Sequence, residues 1–143
     1  MREIRSDVQG ACFCFKMREA ARRITRTYEE AGKSAGLRAT QFTMLATIAV
    51  MEGATLTDLA ESQGLERTTL LRNLQPLERQ GLIDIAAAGS GRARYARLTD
   101  EGIEALQRAL PLWRDAQEKM ERTLGPEMWR RVHQELDGVL ALI

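Results

Sequence analysis

Residues 55–102 read TLTDLAESQGLERTTLLRNLQPLERQGLIDIAAAGSGRARYARLTDEG. Three glycine-containing breaks divide this stretch. Gly64 follows a short amphipathic segment, Gly81 follows a longer one, and Gly89-Ser90-Gly91 tips two alternating segments, 82–87 and 94–98. A glycine just past a helix takes the left-handed conformation without a Cβ clash. The first two glycines therefore predict helices over 58–63, capped by Thr57, and over 66–80. In the longer one Leu70, Leu71, Leu74 and Leu77 fall on the inward side. Pro76 lies inside that pattern, removes one backbone bond and predicts a bend. Helix, tight turn, longer helix and basic hairpin is the order of a module that sets one helix into a major groove and an arm beside it.

Charge supports this locally but not globally. The whole chain carries 21 Lys plus Arg against 20 Asp plus Glu, a formal net charge of +1, which by itself argues for no partner. Within 66–98, Arg67, Arg72, Arg79, Arg92, Arg94 and Arg97 face only Glu66, Glu78 and Asp84. The chain's 143 residues, 44% hydrophobic and 29% charged, describe one ordinary folded domain. Aromatics are scarce and Leu, Ala, Arg and Glu abundant, so helix is favoured. The apolar runs at 44–51 and 139–143 are far short of the roughly 20 residues that span a bilayer. Two cysteines, Cys12 and Cys14, cannot staple a framework, so a reducing cytoplasm is expected. One histidine, His133, leaves no metal cluster or acid/base pair. No phosphate loop, nucleophile elbow or carboxylate pair offers catalysis, and no cofactor is expected.

Outside the module the periodicity is helical. Phe13, Met17, Ala20, Ile24, Tyr28 and Ala31 recur at steps of 3 and 4 and predict a helix over 8–31. Thr40 is the expected cap of a second helix that buries Phe42, Leu45 and Ile48 and ends near Gly53. Thr99 is the expected cap of a long helix with the stripe Ile103, Leu106, Leu110, Trp113, Met120 and Leu124, kinked at Pro111. Gly125-Pro126 breaks the chain, and a last helix carries Trp129, Val132, Leu136, Leu140 and Ile143. That apolar ending predicts an interface with a second copy.

The order Leu59-Ala60, Arg67-Thr68-Thr69, Arg72, Leu77-Glu78, Gly81-Leu82, Arg92, Leu98-Thr99 and Gly102 resembles the MarR family of winged helix-turn-helix regulators. The resemblance runs over nearly the whole chain. It implies a mainly α (α+β) fold, with 37–102 as the winged helix DNA-binding region and 1–36 and 103–143 as dimerisation helices. It also implies a homodimer on pseudo-palindromic promoter DNA, usually a repressor released by a small molecule or an oxidant. The two reading helices would lie about 34 Å apart, one DNA turn. Departures from the family pattern fall at Glu66, Leu71 and Ser90.

The site residues follow from both readings. Arg67, Thr68, Thr69, Arg72 and Asn73 are the candidate groove readers, because arginine can donate two bonds to one guanine edge and threonine meets phosphates or thymine methyls. Arg92 and Arg94 are the candidate wing contacts, with Arg97 on the opposite face of its strand. Phe13, Met17, Phe42 and Trp113 are the candidate effector-binding residues. Cys14, with Cys12 beside it, is the candidate redox residue, since the resemblance places it where peroxide-sensing members oxidise a cysteine. Cys12 and Cys14, two apart on a helix, would point to different faces and not pair with each other. Peroxide sensing through Cys14, and a winged-helix protein-interaction module without DNA binding, stand as the alternatives to ligand-released repression.

Overall fold

The computed structural model describes residues 7, 10–87 and 93–143. Helix α1 (Phe13–Gly32) leads through a short 3-10 turn, Lys33–Ala35, to α2 (Ala39–Val50). Helices α3 (Leu56–Ser62) and α4 (Arg67–Arg79) come next, then an antiparallel hairpin of β1 (Ile83–Ala87) and β2 (Arg94–Leu98). Two long helices, α5 (Asp100–Leu124) and α6 (Pro126–Leu142), complete the chain. This is the mainly helical winged-helix fold that the sequence predicts. Among the described residues, no helix is long and apolar enough to cross a membrane.

The core lies under the helix-turn-helix. Leu45 of α2, Leu56 of α3, Leu70, Leu74 and Leu77 of α4 and Ile83 of β1 are shut off from water. Truncating any of these leucines to alanine removes about 2–5 kcal/mol in comparable cores. Both glycine predictions are met in detail. The Leu65 N–H donates to Ala60 O at 2.8 Å and the Gly64 N–H to Glu61 O at 3.0 Å. The Leu82 N–H donates to Leu77 O and the Gly81 N–H to Glu78 O, both at 3.0 Å. These are paired Schellman closures, with φ of 59° at Gly64 and 70° at Gly81. They fix where α3 and α4 end.

Several caps fall elsewhere than the sequence predicts. The cap of α3 is Thr55, not Thr57: its Oγ1 accepts from the Asp58 N–H at 3.2 Å, and Asp58 Oδ2 accepts from the Thr55 N–H at 2.8 Å. Helix α2 starts at Ala39 behind Arg38, whose N–H donates to Gln41 Oε1 at 3.0 Å, so Thr40 lies inside the helix. Helix α1 starts at Phe13 with Cys12 as an extended N-cap residue. The helical assignments run through Pro76 and Pro111 without a break.

The largest departure concerns α5. Its buried residues are Gly102, Ala105, Ala109 and Ala116, not the predicted stripe. Ile103, Trp113 and Leu124 are exposed, and Leu106, Leu110 and Met120 half-buried. The two sets lie roughly a quarter turn apart on the helix. Small side chains let α5 approach its own core closely, and the bulky ones are displaced to the neighbouring face. Helices α1 and α6 contain no fully buried residue at all.

The start of α5 locks onto the end of α4. Thr99 Oγ1 donates to Gly81 O at 2.6 Å and accepts from the Gly102 N–H at 3.0 Å, while the Thr99 N–H donates to Leu82 O at 3.2 Å. A Cβ on Gly102 would stand 1.9 Å from Leu82 O and 3.0 Å from its carbonyl carbon. Gly102→Ala is therefore expected to force the junction open and destabilise the fold by about 1–3 kcal/mol or more. Urea unfolding measures this, and an unchanged midpoint would contradict the close approach.

Asp58 supplies a pH test. Its carboxyl is held below the usual carboxylate range by the Thr55 backbone N–H and then the Thr55 hydroxyl. A pKa lowered in the folded state adds stability above the ordinary Asp value, and that stability fades as pH falls through the folded value. Asp58→Asn is expected to melt lower than the wild type at neutral pH, and the gap is expected to close in acid.

Candidate nucleic-acid interface

Helix α4 has two opposed sides. Leu70, Leu74 and Leu77 lie wholly inside, which aims the opposite side at solvent. Thr68, Arg72, Gln75 and Arg79 form the line diametrically opposite those leucines, and all four are exposed. Arg67 is exposed at the first turn and Asn73 on the flank, while Thr69 is half-buried. Of the predicted readers, Thr68 and Arg72 are thus the most outward, and Thr69 is the least. Gln75 and Arg79 share their line without belonging to the predicted set. Counting around the helix from the buried leucines would have found them.

The hairpin adds a second basic element beside α4. Register pairs Ile83 with Leu98, Ile85 with Ala96 and Ala87 with Arg94 on one face. Ala96 and Ile83 are buried on that face, whereas Arg94 stands past the core's end and is exposed. Arg97 lies on the outer face opposite Asp84, as strand alternation predicts. Arg92 and Ser90 lie outside the described residues. Thr55, the α3 cap, forms an isolated antiparallel bridge with Tyr95, which ties the hairpin to the helix-turn-helix. Among the described residues, Arg67, Arg72, Arg79, Arg94 and Arg97 form no ion pairs. Their guanidinium groups are free to meet an anion.

A cavity of about 210 Å³ opens between α1, α2 and α5. Ile24, Thr25 and Tyr28 of α1, Phe42 and Thr43 of α2 and Ala109 and Trp113 of α5 are among its walls. Phe42 and Trp113 stack across it, ring centroids 5.9 Å apart and planes at 18°. The Tyr28 hydroxyl donates to Gln117 Oε1, and burial pushes the tyrosine pKa upward. Two of the predicted effector residues, Phe42 and Trp113, therefore meet here. Phe13 and Met17 do not line this cavity: Phe13 is 62% exposed near the start of α1, and Ile24 and Tyr28 hold the positions on the wall. Helical periodicity puts all four on apolar stripes but does not say where along α1 the cavity opens.

Cys14 is exposed in the first turn of α1 and Cys12 half-buried at its cap; both are free thiols. Because Cys12 precedes the helix, helical geometry does not hold the two thiols to different faces as the sequence predicts. Among the described residues no cluster of His, Cys, Asp or Glu could hold a metal ion.

A model of the MarR family matches residues 35–93. The M. tuberculosis transcriptional regulator MosR is similar along its length: 37% identity, 92% of this chain and 98% of MosR covered, TM-score 0.76. MosR in complex with DNA gives a TM-score of 0.78 at the same identity and coverage. The transcriptional repressor CouR, bound to a 23-mer DNA duplex, shares the fold with a TM-score of 0.83 at 21% identity, over 94% of this chain and 96% of CouR. No curated protein matches the sequence.

The outward line on α4 generates a two-part test in gel-shift titrations. Arg72→Ala is expected to weaken binding to a preferred duplex by about 1–3 kcal/mol and to relax sequence preference. Arg79→Ala, at the far end of the helix, is expected to weaken all duplexes alike and reduce the salt dependence by about the share of one phosphate. Unchanged affinities in both variants would exclude this face.

Proposed function

This chain belongs to the MarR family, and we propose that it acts as a homodimeric repressor released from pseudo-palindromic operator DNA by a small-molecule effector. It is a DNA-binding transcriptional regulator, not an enzyme. The observation that carries the proposal is the row of unpaired polar side chains on α4, directly opposite its buried leucines. Arg67, Thr68, Arg72 and Asn73 read the groove, Thr69 supports the first turn, and Arg92 and Arg94 brace the flanking backbone. Residues 37–102 form the reading head, and 1–36 with 103–143 form the dimer.

Dimerisation is supported by the surface left uncovered. Helices α1 and α6 bury no residue fully, and Trp113, Leu124, Met128 and Leu140 are exposed together with the chain's last two residues. A monomer would hold this apolar surface in water. An effector in the cavity would touch α2, which belongs to the reading head, and α1 and α5, which belong to the dimer. A ligand that binds one spacing of the two heads better than the other shifts the population toward it. The whole cycle takes place in the cytoplasm.

One measurement series tests the proposal. Sedimentation velocity is expected to give a dimer at micromolar concentration, and DNA fragments selected from a random pool are expected to share an inverted repeat. Planar aromatic compounds that quench Trp113 fluorescence are expected to release the selected DNA, and Trp113→Ala to abolish release. A stable monomer, or selection without a shared repeat, would refute it.

The exposure of Cys14 favours a second reading, in which an oxidant acts on that thiol and releases the DNA. Hydroperoxide is then expected to release DNA from the wild type but not from Cys14→Ser. Equal release from both would eliminate it.

A further inference from the structure

We propose that the polar side of α1 is a second, sequence-independent binding surface for the phosphate backbone of duplex DNA, separate from the outward line of α4. Arg18, Arg22 and Arg26 stand at four-residue steps, about 6 Å apart along the helix axis. All three are exposed. Arg22 and Arg26 line a concavity of about 500 Å³ together with Phe15, Glu19 and Arg23. None of the three arginines of the row forms an ion pair among the described residues.

Each acid of this helix has a partner outside the row, although Glu19 shares the concavity with it. Glu19 pairs with Arg23 at 2.6 Å, Glu30 with Lys33 at 2.7 Å, and Glu29 Oε1 accepts from the Ala39 N–H at 3.1 Å. Like charges four residues apart oppose helix formation, so the row carries a repulsion that an anionic partner would relieve. The apolar stripe of α1 lies on the opposite side and reaches the cavity at Ile24 and Tyr28. The chain's own α2 and α5 meet that side, which leaves the arginines facing outward. The three arginines are exposed and their neighbour Phe15 is half-buried, whereas protein interfaces draw most of their affinity from a few fully buried Trp, Tyr and Arg anchors. Evenly spaced guanidinium groups with no such anchor fit a repeating chain of phosphates, which arginine binds through charge-assisted bonds.

The experiment compares the full-length wild type with Arg18→Gln/Arg22→Gln/Arg26→Gln on a random-sequence duplex across a range of salt concentrations. The slope of log affinity against log salt is expected to become shallower by about 0.9 for each phosphate that the variant leaves unneutralised. Circular dichroism and sedimentation are expected to match the wild type. Arg72→Ala serves as the second arm: it should lose sequence preference while retaining the row's contribution to the slope, which separates failure of one surface from failure of the other. An unchanged slope in the triple variant overturns the proposal. A change of oligomeric state in that variant also overturns it, by assigning the row to a second copy.

Discussion

The placement of the exposed helix depends on the meeting of two stretches of backbone with no side chain between them. At Gly102 the first turn of α5 presses against the Leu82 carbonyl, and Thr99 stitches the same spot to Gly81. Gly81 is also the residue that closes α4. One short segment thus ends α4, opens the hairpin and seats α5. Packed interiors pass displacement on because they contain little free volume, and here even the compliance of a side chain is missing. The direction in which Arg72 points is therefore tied to the direction of α5, although the two are far apart in sequence.

This arrangement explains which parts are legible in the sequence. Gly64 and Gly81 each announce a left-handed residue after a helix, and the structure closes both helices at those positions with the same pair of hydrogen bonds. Strand limits follow from alternation and from the Gly-Ser-Gly tip. The cap of α3 is harder to place because Thr55 and Thr57 are both good capping residues. What decides between them is Asp58, three residues after Thr55, whose carboxylate reaches back to the Thr55 N–H. Thr40 suits a cap by residue type alone. Arg38 holds the cap position because Gln41 satisfies its N–H, an interaction between neighbours that composition does not reveal.

Helix α5 shows a different limit. Its large apolar residues follow a clean helical period, but a period says only that a face avoids water, not what covers it. The chain's own core uses Gly102, Ala105, Ala109 and Ala116. Of the bulky face beside them, Trp113 stacks on Phe42, while Ile103 and Leu124 stay exposed, as do Met128 and Leu140 of α6. Similarly, Phe42 and Trp113 can be identified as apolar but not as partners, since 71 positions separate them in sequence. Only the packing of α2 against α5 brings the rings together.

That ring pair has a mechanical consequence. Near-parallel aromatic planes hold each other by broad dispersion and an offset preference rather than by directed bonds. Separating them exposes two large faces, but gliding one across the other changes little. The Phe42–Trp113 stack thus behaves as a slip plane between α2 and α5, stiff to pulling and soft to shear. The backbone joint at Gly102 is rigid in both senses. With that joint fixed and the ring pair able to slide, α2 shifts along α5 more easily than it parts from it.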